Sequence, residues 1–168
     1  IAVAARYLQK KYRINKVAII DFDVHHGNGT QDIFYNDSSV AYASTHEFPL
    51  FPGTGREEET GVGNIFNAPL KSGIEVTEFL KIFENKILKP LDKFKPEVIL
   101  ISAGFDAHIR DPLANINLES NDFYKITKMI VELANIHSKG RIISFLEGGY
   151  DLVALNESIK EHLFGLNS

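Results

Sequence analysis

The chain has 168 residues, 44% of them hydrophobic and 24% charged, with a formal net charge of −4. That length supports one domain with a buried core, and the mild acidity gives no basic face for nucleic acid. Cysteine is absent, which excludes a disulfide framework and thiolate metal sites, so any metal must rest on histidines and carboxylates.

In chain order, residues 1–12 read as an amphipathic helix with Val3, Tyr7 and Leu8 on one face, closed by a Lys pair. Ile1 is not Met, which suggests that it is not a natural beginning. Ile1 to Leu8 is too short for a signal peptide, and no apolar run reaches the roughly 20 residues of a membrane span, so a cytoplasmic protein without a membrane partner is expected. Val17 to Ile20 is a continuous apolar run, the mark of a strand buried in a parallel sheet. It ends in Asp21-Phe-Asp-Val-His-His-Gly-Asn-Gly-Thr30. If the backbone stays extended, Asp21, Asp23 and His25 share one side while Phe22, Val24 and His26 take the other. Ionisable groups crowded at a buried strand end are costly unless paired or bound to a cation. The plainer alternative is a salt-bridged strand end with an Asx turn.

Gly29 to Tyr35 predicts a short helix and Val40 to Thr45 a second strand. From His46 to Asn64 the chain reads as loop, punctuated by Pro49, Pro52, Gly53, Gly55, Gly61 and Gly63, with a solvated acidic run at Glu57 to Glu59. Glu75 to Phe94 predicts a long helix and Val98 to Ser102 another buried strand. A polar loop covers 103–119. Asn121 to His137 predicts a helix with Phe123, Ile126, Ile130, Leu133 and Ala134 inward. Arg141 to Leu146 is a further strand, Glu147 to Asp151 a turn and Val153 to Leu166 a closing helix. No linker or repeat divides residues 1–168, so a single α/β domain is expected, an open parallel sheet flanked by helices. Asp23/His25, Asp106 and Tyr150 then all follow carboxyl ends of strands, the edge where open α/β sheets bind ligands.

Taken together, DFDVHHGNGTQ, FPGTG, SAGFDAHIRDPLA and LEGGYDL, in this order, closely resemble the histone deacetylase family over essentially the whole chain. The Glu-Gly-Gly-Tyr form and Asn28 are similar to its class II and bacterial branch. The resemblance implies the arginase–deacetylase fold, with this chain as the C-terminal part of the catalytic domain. It implies one catalytic Zn²⁺ on Asp23, His25 and Asp106, and Tyr150 as the donor to the oxyanion. It further implies a structural K⁺ held by Asp21, Ser44 and the carbonyls of Asp23, His25 and Thr45. Phe51, Gly148 and Leu113 fall in the channel for an acetyl-lysine side chain, or another small N-acetyl amide, with Leu113 at its rim. The family's tandem His pair and second aromatic wall lie before the matched region, so residues 1–168 alone are expected to be inactive. Strands absent from the sheet would leave an open edge prone to self-association. An arginase-like ureohydrolase needs carboxylates for a second metal, but Gly27 and Gly29 stand where they would fall. A degenerate, non-catalytic binding module is the other alternative.

Overall fold

Val17-Ala-Ile-Ile has apolar side chains on both faces, so it is stable only with helices above and below. The computed structural model, which describes all 168 residues, provides them. Its elements are α1 (Ala2–Tyr12), β1 (Val17–Asp21), α2 (Asn28–Phe34), β2 (Val40–Glu47), β3 (Ile65–Leu70), α3 (Val76–Ile82), α4 (Lys89–Phe94), β4 (Val98–Ala103), α5 (Ser120–His137), β5 (Ile142–Leu146) and α6 (Leu152–Leu166). The five strands form one sheet in the order β3-β2-β1-β4-β5, with every pairing parallel. On one face Ala18, Ile20, Ile99 and Ile101 pack with Phe79, Phe83, Phe123 and Ile126; on the other Val17, Ile19, Val98 and Leu100 pack with Ala5 and Phe34. No helix is long and apolar enough to cross a membrane.

The strand order positions the site. From β1 the chain moves outward to β2 and β3, then returns to lay β4 on the opposite side of β1. Loops leaving β1 and β4 therefore diverge in sequence but begin side by side, which opens a crevice at the carboxyl ends. Apolar residues anchor both loops: Phe22 and Val24 after β1, Phe105 and Ala107 after β4, all at most 2% exposed. Phe22 and Phe105 meet edge to face at 6.0 Å, and Phe105 meets Phe123 of α5 at 5.1 Å. Such aromatic pairs add about 0.5–1.5 kcal/mol beyond their burial.

The inward face of α5 is as expected, with Phe123, Ile126, Ile130, Leu133 and Ala134 all buried. Other elements differ from the sequence reading. In α1, Val3 and Tyr7 are exposed; Ala5 is buried, because small residues let the helix lie close to the sheet. β2 continues through His46 and Glu47, both buried, so His46 is not a loop residue. β3 is a strand the sequence hides: Asn67 and Pro69 are poor strand formers, but β3 is an edge strand, where Pro is tolerated. The helix expected over 75–94 contains a π-helical segment, Phe83–Leu88, between α3 and α4. Glu59 is not merely solvated, since its carboxylate accepts the N–H groups of Gly55 and Arg56 and the Gln31 amide. β5 is the other edge, where Ile143 and Leu146 remain exposed.

Candidate metal centre

The backbone of residues 22–27 is irregular rather than extended, yet it still brings Asp23 and His25 together. Asp23 Oδ1 accepts the backbone N–H of His25 at 2.8 Å, an Asx-type turn. Asp106 is fully buried, and its Oδ1 accepts the N–H of Val24 at 2.9 Å, tying the β4 loop to the β1 loop. His25 Nδ1 lies 3.0 Å from Asp106 Oδ2 and 3.2 Å from Asp23 Oδ1. One ligand atom from each of Asp23, His25 and Asp106 falls within 4.8 Å of the other two.

Two glycines shape this cluster. A Cβ on Gly104 would fall 2.5 Å from Asp23 Cα, and one on Gly148 would fall 2.7 Å from both Asp106 Cγ and Asp23 Oδ2. Gly148 instead gives its N–H to Asp23 Oδ2 at 2.8 Å and its carbonyl to the Phe105 N–H at 2.8 Å. The Glu-Gly-Gly-Tyr turn is thus clasped against both ligand-bearing loops. Gly149, with φ 140°, occupies backbone space that disfavours other residues.

The electrostatics are those of a cation site. Hydrogen bonds to Asp106 and then Asp23 raise the His25 pKa to about 10. Burial, then the Asp23 charge, pushes Asp106 up despite its bond to His25. Burial also acts to raise Asp23, but the His25 ring and the N–H groups of His25 and Gly148 outweigh it and hold its carboxyl down. The His25 nitrogen lies 3.2 and 3.0 Å from carboxylate oxygens of Asp23 and Asp106, near the roughly 3.3 Å that tetrahedral bonds of about 2.0–2.1 Å impose, so the three groups fit a divalent metal.

Asp21 stands apart from the three. It is 4% exposed, and its oxygens accept the Asp23 N–H at 3.2 Å and the Tyr42 hydroxyl at 2.9 Å. Burial, followed by the Asp23 charge, raises its pKa well above the carboxylate range. Ser44 pairs with Asp21 in the sheet register and is fully buried; its Oγ hydrogen-bonds His46 Nδ1. The Thr45 hydroxyl is buried without a partner. Asp21 is thus a buried carboxylate with no cationic side chain paired to it.

Tyr150 projects from the turn after β5, half-exposed. Partial burial, then Asp106 and Asp23, raises its phenol pKa, so the ring stands in the field of the ligand carboxylates. Its backbone N–H donates to Asp111 Oδ2 at 2.8 Å. Phe51 and Leu113 are exposed at 78% and 53%, and neither lines the cavity around Asp23 and His25. Glu47 accepts the backbone N–H and side-chain amide of Asn115, at 2.9 and 3.0 Å, fixing the loop that carries Leu113. Glu47 belongs to the site's support and escaped the sequence reading, because its partner Asn115 lies 68 residues away.

No other imidazole joins the cluster. His26 bonds Thr54 and Gln31, His46 bonds Ser44 and the Gly55 carbonyl, and His108 bonds Ser120 and the Arg110 N–H. His137 pairs with Asp92, and His162 bridges Thr127 and Ser144.

The open parallel α/β sheet thus carries, at its switch point, an Asp-His-Asp cluster of the kind that could hold a metal ion. The histone deacetylase domain matches residues 1–166, and the chain belongs to that family. It is 44% identical over 165 residues to "Histone deacetylase 10, chloroplastic" of Oryza sativa subsp. japonica, covering 96% of this chain and 37% of that protein. It is 39% identical over 155 residues to a "Probable deacetylase" of Archaeoglobus fulgidus, covering 90% and 43%. The crystal structure of the HDA15 HD domain superposes with a TM-score of 0.91 at 33% identity, covering 99% of this chain and 50% of that one. The chain thus spans about half or less of these relatives' lengths. The family is one of hydrolases that act on acetylated substrates and generally depend on a metal.

Proposed function

We propose that the protein is a zinc-dependent deacetylase that hydrolyses N-acetyl amides, with an acetylated lysine side chain as the substrate group. The observation that carries this reading is the convergence of His25 Nδ1, Asp23 and Asp106 beneath the Gly148–Tyr150 turn. Asp23, His25 and Asp106 would hold the ion, leaving a coordination position open. When bound, zinc would polarise the amide carbonyl and acidify a water molecule.

The chain's own residues do the rest. Deprotonated, Asp23 and Asp106 offset the charge of the ion, and their bonds to Gly148 and Val24 keep them from turning away. Tyr150, held protonated, donates its hydroxyl to the oxygen that gains charge as the tetrahedral carbon forms. Asp21, Ser44 and the carbonyls of Asp23, His25 and Thr45 would hold K⁺, supporting the ligand loop from behind. Phe51, Gly148 and Leu113 would border the acyl-lysine channel. The remaining five imidazoles are hydrogen-bonded to other groups, and none of them joins the ligand cluster.

The test is release of acetate from an acetyl-lysine peptide by the natural-length protein, stripped of metal and then reconstituted. The reading expects zinc to restore turnover and a hydroxamate to abolish it. Equal turnover in stripped and reconstituted protein would reject it.

A further inference from the structure

Asp111 precedes a proline, and an Asx turn explains only half of its bonding. Oδ1 accepts the Leu113 N–H at 3.0 Å, closing that turn. Oδ2 accepts the N–H of Tyr150, 39 residues away, at 2.8 Å. The carboxylate is 6% exposed, and no cation pairs with it, because the adjacent Arg110 guanidinium goes to Glu157. Burying a charge on two backbone N–H groups is costly, and an asparagine would close the same turn without that cost. What asparagine would not do is accept at both ends, since its second atom is itself a donor.

We propose that Asp111 is a positioning residue for Tyr150, one carboxylate that fixes the backbone of the phenol-bearing turn to the loop carrying Leu113. The surroundings leave little other control over Tyr150. Gly149 before it is the most permissive residue type, and Asp151 after it spends its side chain capping α6 through the Ala154 N–H at 2.7 Å. The phenol is half-exposed and makes no hydrogen bond of its own, so the hydrogen bond of its backbone N–H is what anchors the residue. The far end of the Asp111 loop is in turn held by Glu47 through Asn115. Substrate channel and oxyanion donor are therefore assembled as one unit across loops from β2, β4 and β5.

This inference rests on the deacetylase reading for Tyr150, and its test separates the two. In the natural-length protein loaded with zinc, turnover of an acetyl-lysine peptide is measured for Asp111→Asn, Tyr150→Phe and the double variant. Asp111→Asn is expected to lower kcat about tenfold to a hundredfold, as misplacement of a reacting group does, with KM within about threefold. In the Tyr150→Phe background the same change is expected to cost less than threefold, because the hydroxyl it positions is gone. Equal losses in both backgrounds would mean a merely structural role and overturn the proposal. Asp111→Ser keeps an acceptor for the Leu113 turn and should behave alike should the Asn variant fold poorly. Amide hydrogen exchange at Tyr150 needs no turnover. It should quicken at least tenfold in either variant, and unchanged exchange would overturn the proposal even in a protein that proves to be no deacetylase.

Discussion

Replacing Gly148 with alanine puts a methyl where the ligand carboxylates already are. The new Cβ would meet Asp106 Oδ2 most closely and stand 2.7 Å from Asp106 Cγ and from Asp23 Oδ2, against an ordinary contact of about 3.5 Å or more, so something must move by more than about 1 Å. Asp106 can retreat only by giving up the Val24 N–H. The turn can retreat only by giving up the bond from Gly148 N–H to Asp23 and that from Phe105 N–H to the Gly148 carbonyl. Either route loses a buried hydrogen bond or accepts overpacking, at about 1–3 kcal/mol. Because both routes displace a ligand or its support, metal affinity should fall about 10- to 100-fold. Chemical denaturation with and without zinc reads both effects. At a concentration 100 times the wild-type Kd, zinc stabilises by about 2.7 kcal/mol, whereas a hundredfold weaker site gains only about 0.4 kcal/mol. A variant that keeps wild-type stability and the full zinc-dependent gain would refute this account of why the position is glycine.

His162 supplies a pH prediction remote from the metal site. Burial lowers its pKa to about 4 from 6.5, so between those values the unfolded chain binds the proton and the folded one does not. Its contribution is intact above pH 6.5 and lost as pH falls towards 4, at about 1.4 kcal/mol per tenfold change in proton affinity. His162→Gln should therefore lose about 2 kcal/mol less than wild type between pH 7.5 and 5 in urea unfolding; parallel losses would contradict it. With neutral Leu113 at the proposed rim, an acetyl-lysine peptide should be turned over in preference to acetylputrescine, and clear preference for the polyamine would reverse that assignment.

What the sequence made legible was whatever depends on local pattern. β1 and β4 are unbroken apolar runs, and α5 shows its inward face through the spacing of Phe123, Ile126, Ile130, Leu133 and Ala134. The Asp23-x-His25 spacing and the Asp106 strand end were visible because polar groups follow those runs directly. Features set by tertiary context were not. β3 carries Asn67 and Pro69, which only an edge position makes acceptable. The burial of Ala5 rather than Val3 in α1 reflects how closely the helix approaches the sheet. Glu59 looked like part of a solvated acidic run, yet it holds the Gly55–Arg56 backbone. The second oxygen of Asp111 reaches a residue 39 positions away, beyond any local motif.

The central claim is that Asp23, His25 and Asp106 form one zinc site. Metal analysis of the natural-length protein, stripped with chelator and reconstituted, tests it most directly when wild type and Asp106→Ala are compared. The account predicts one zinc per chain in the wild type and loss of that zinc, with loss of acetate release, in the variant. Two metals per chain, or undiminished binding in Asp106→Ala, would contradict it.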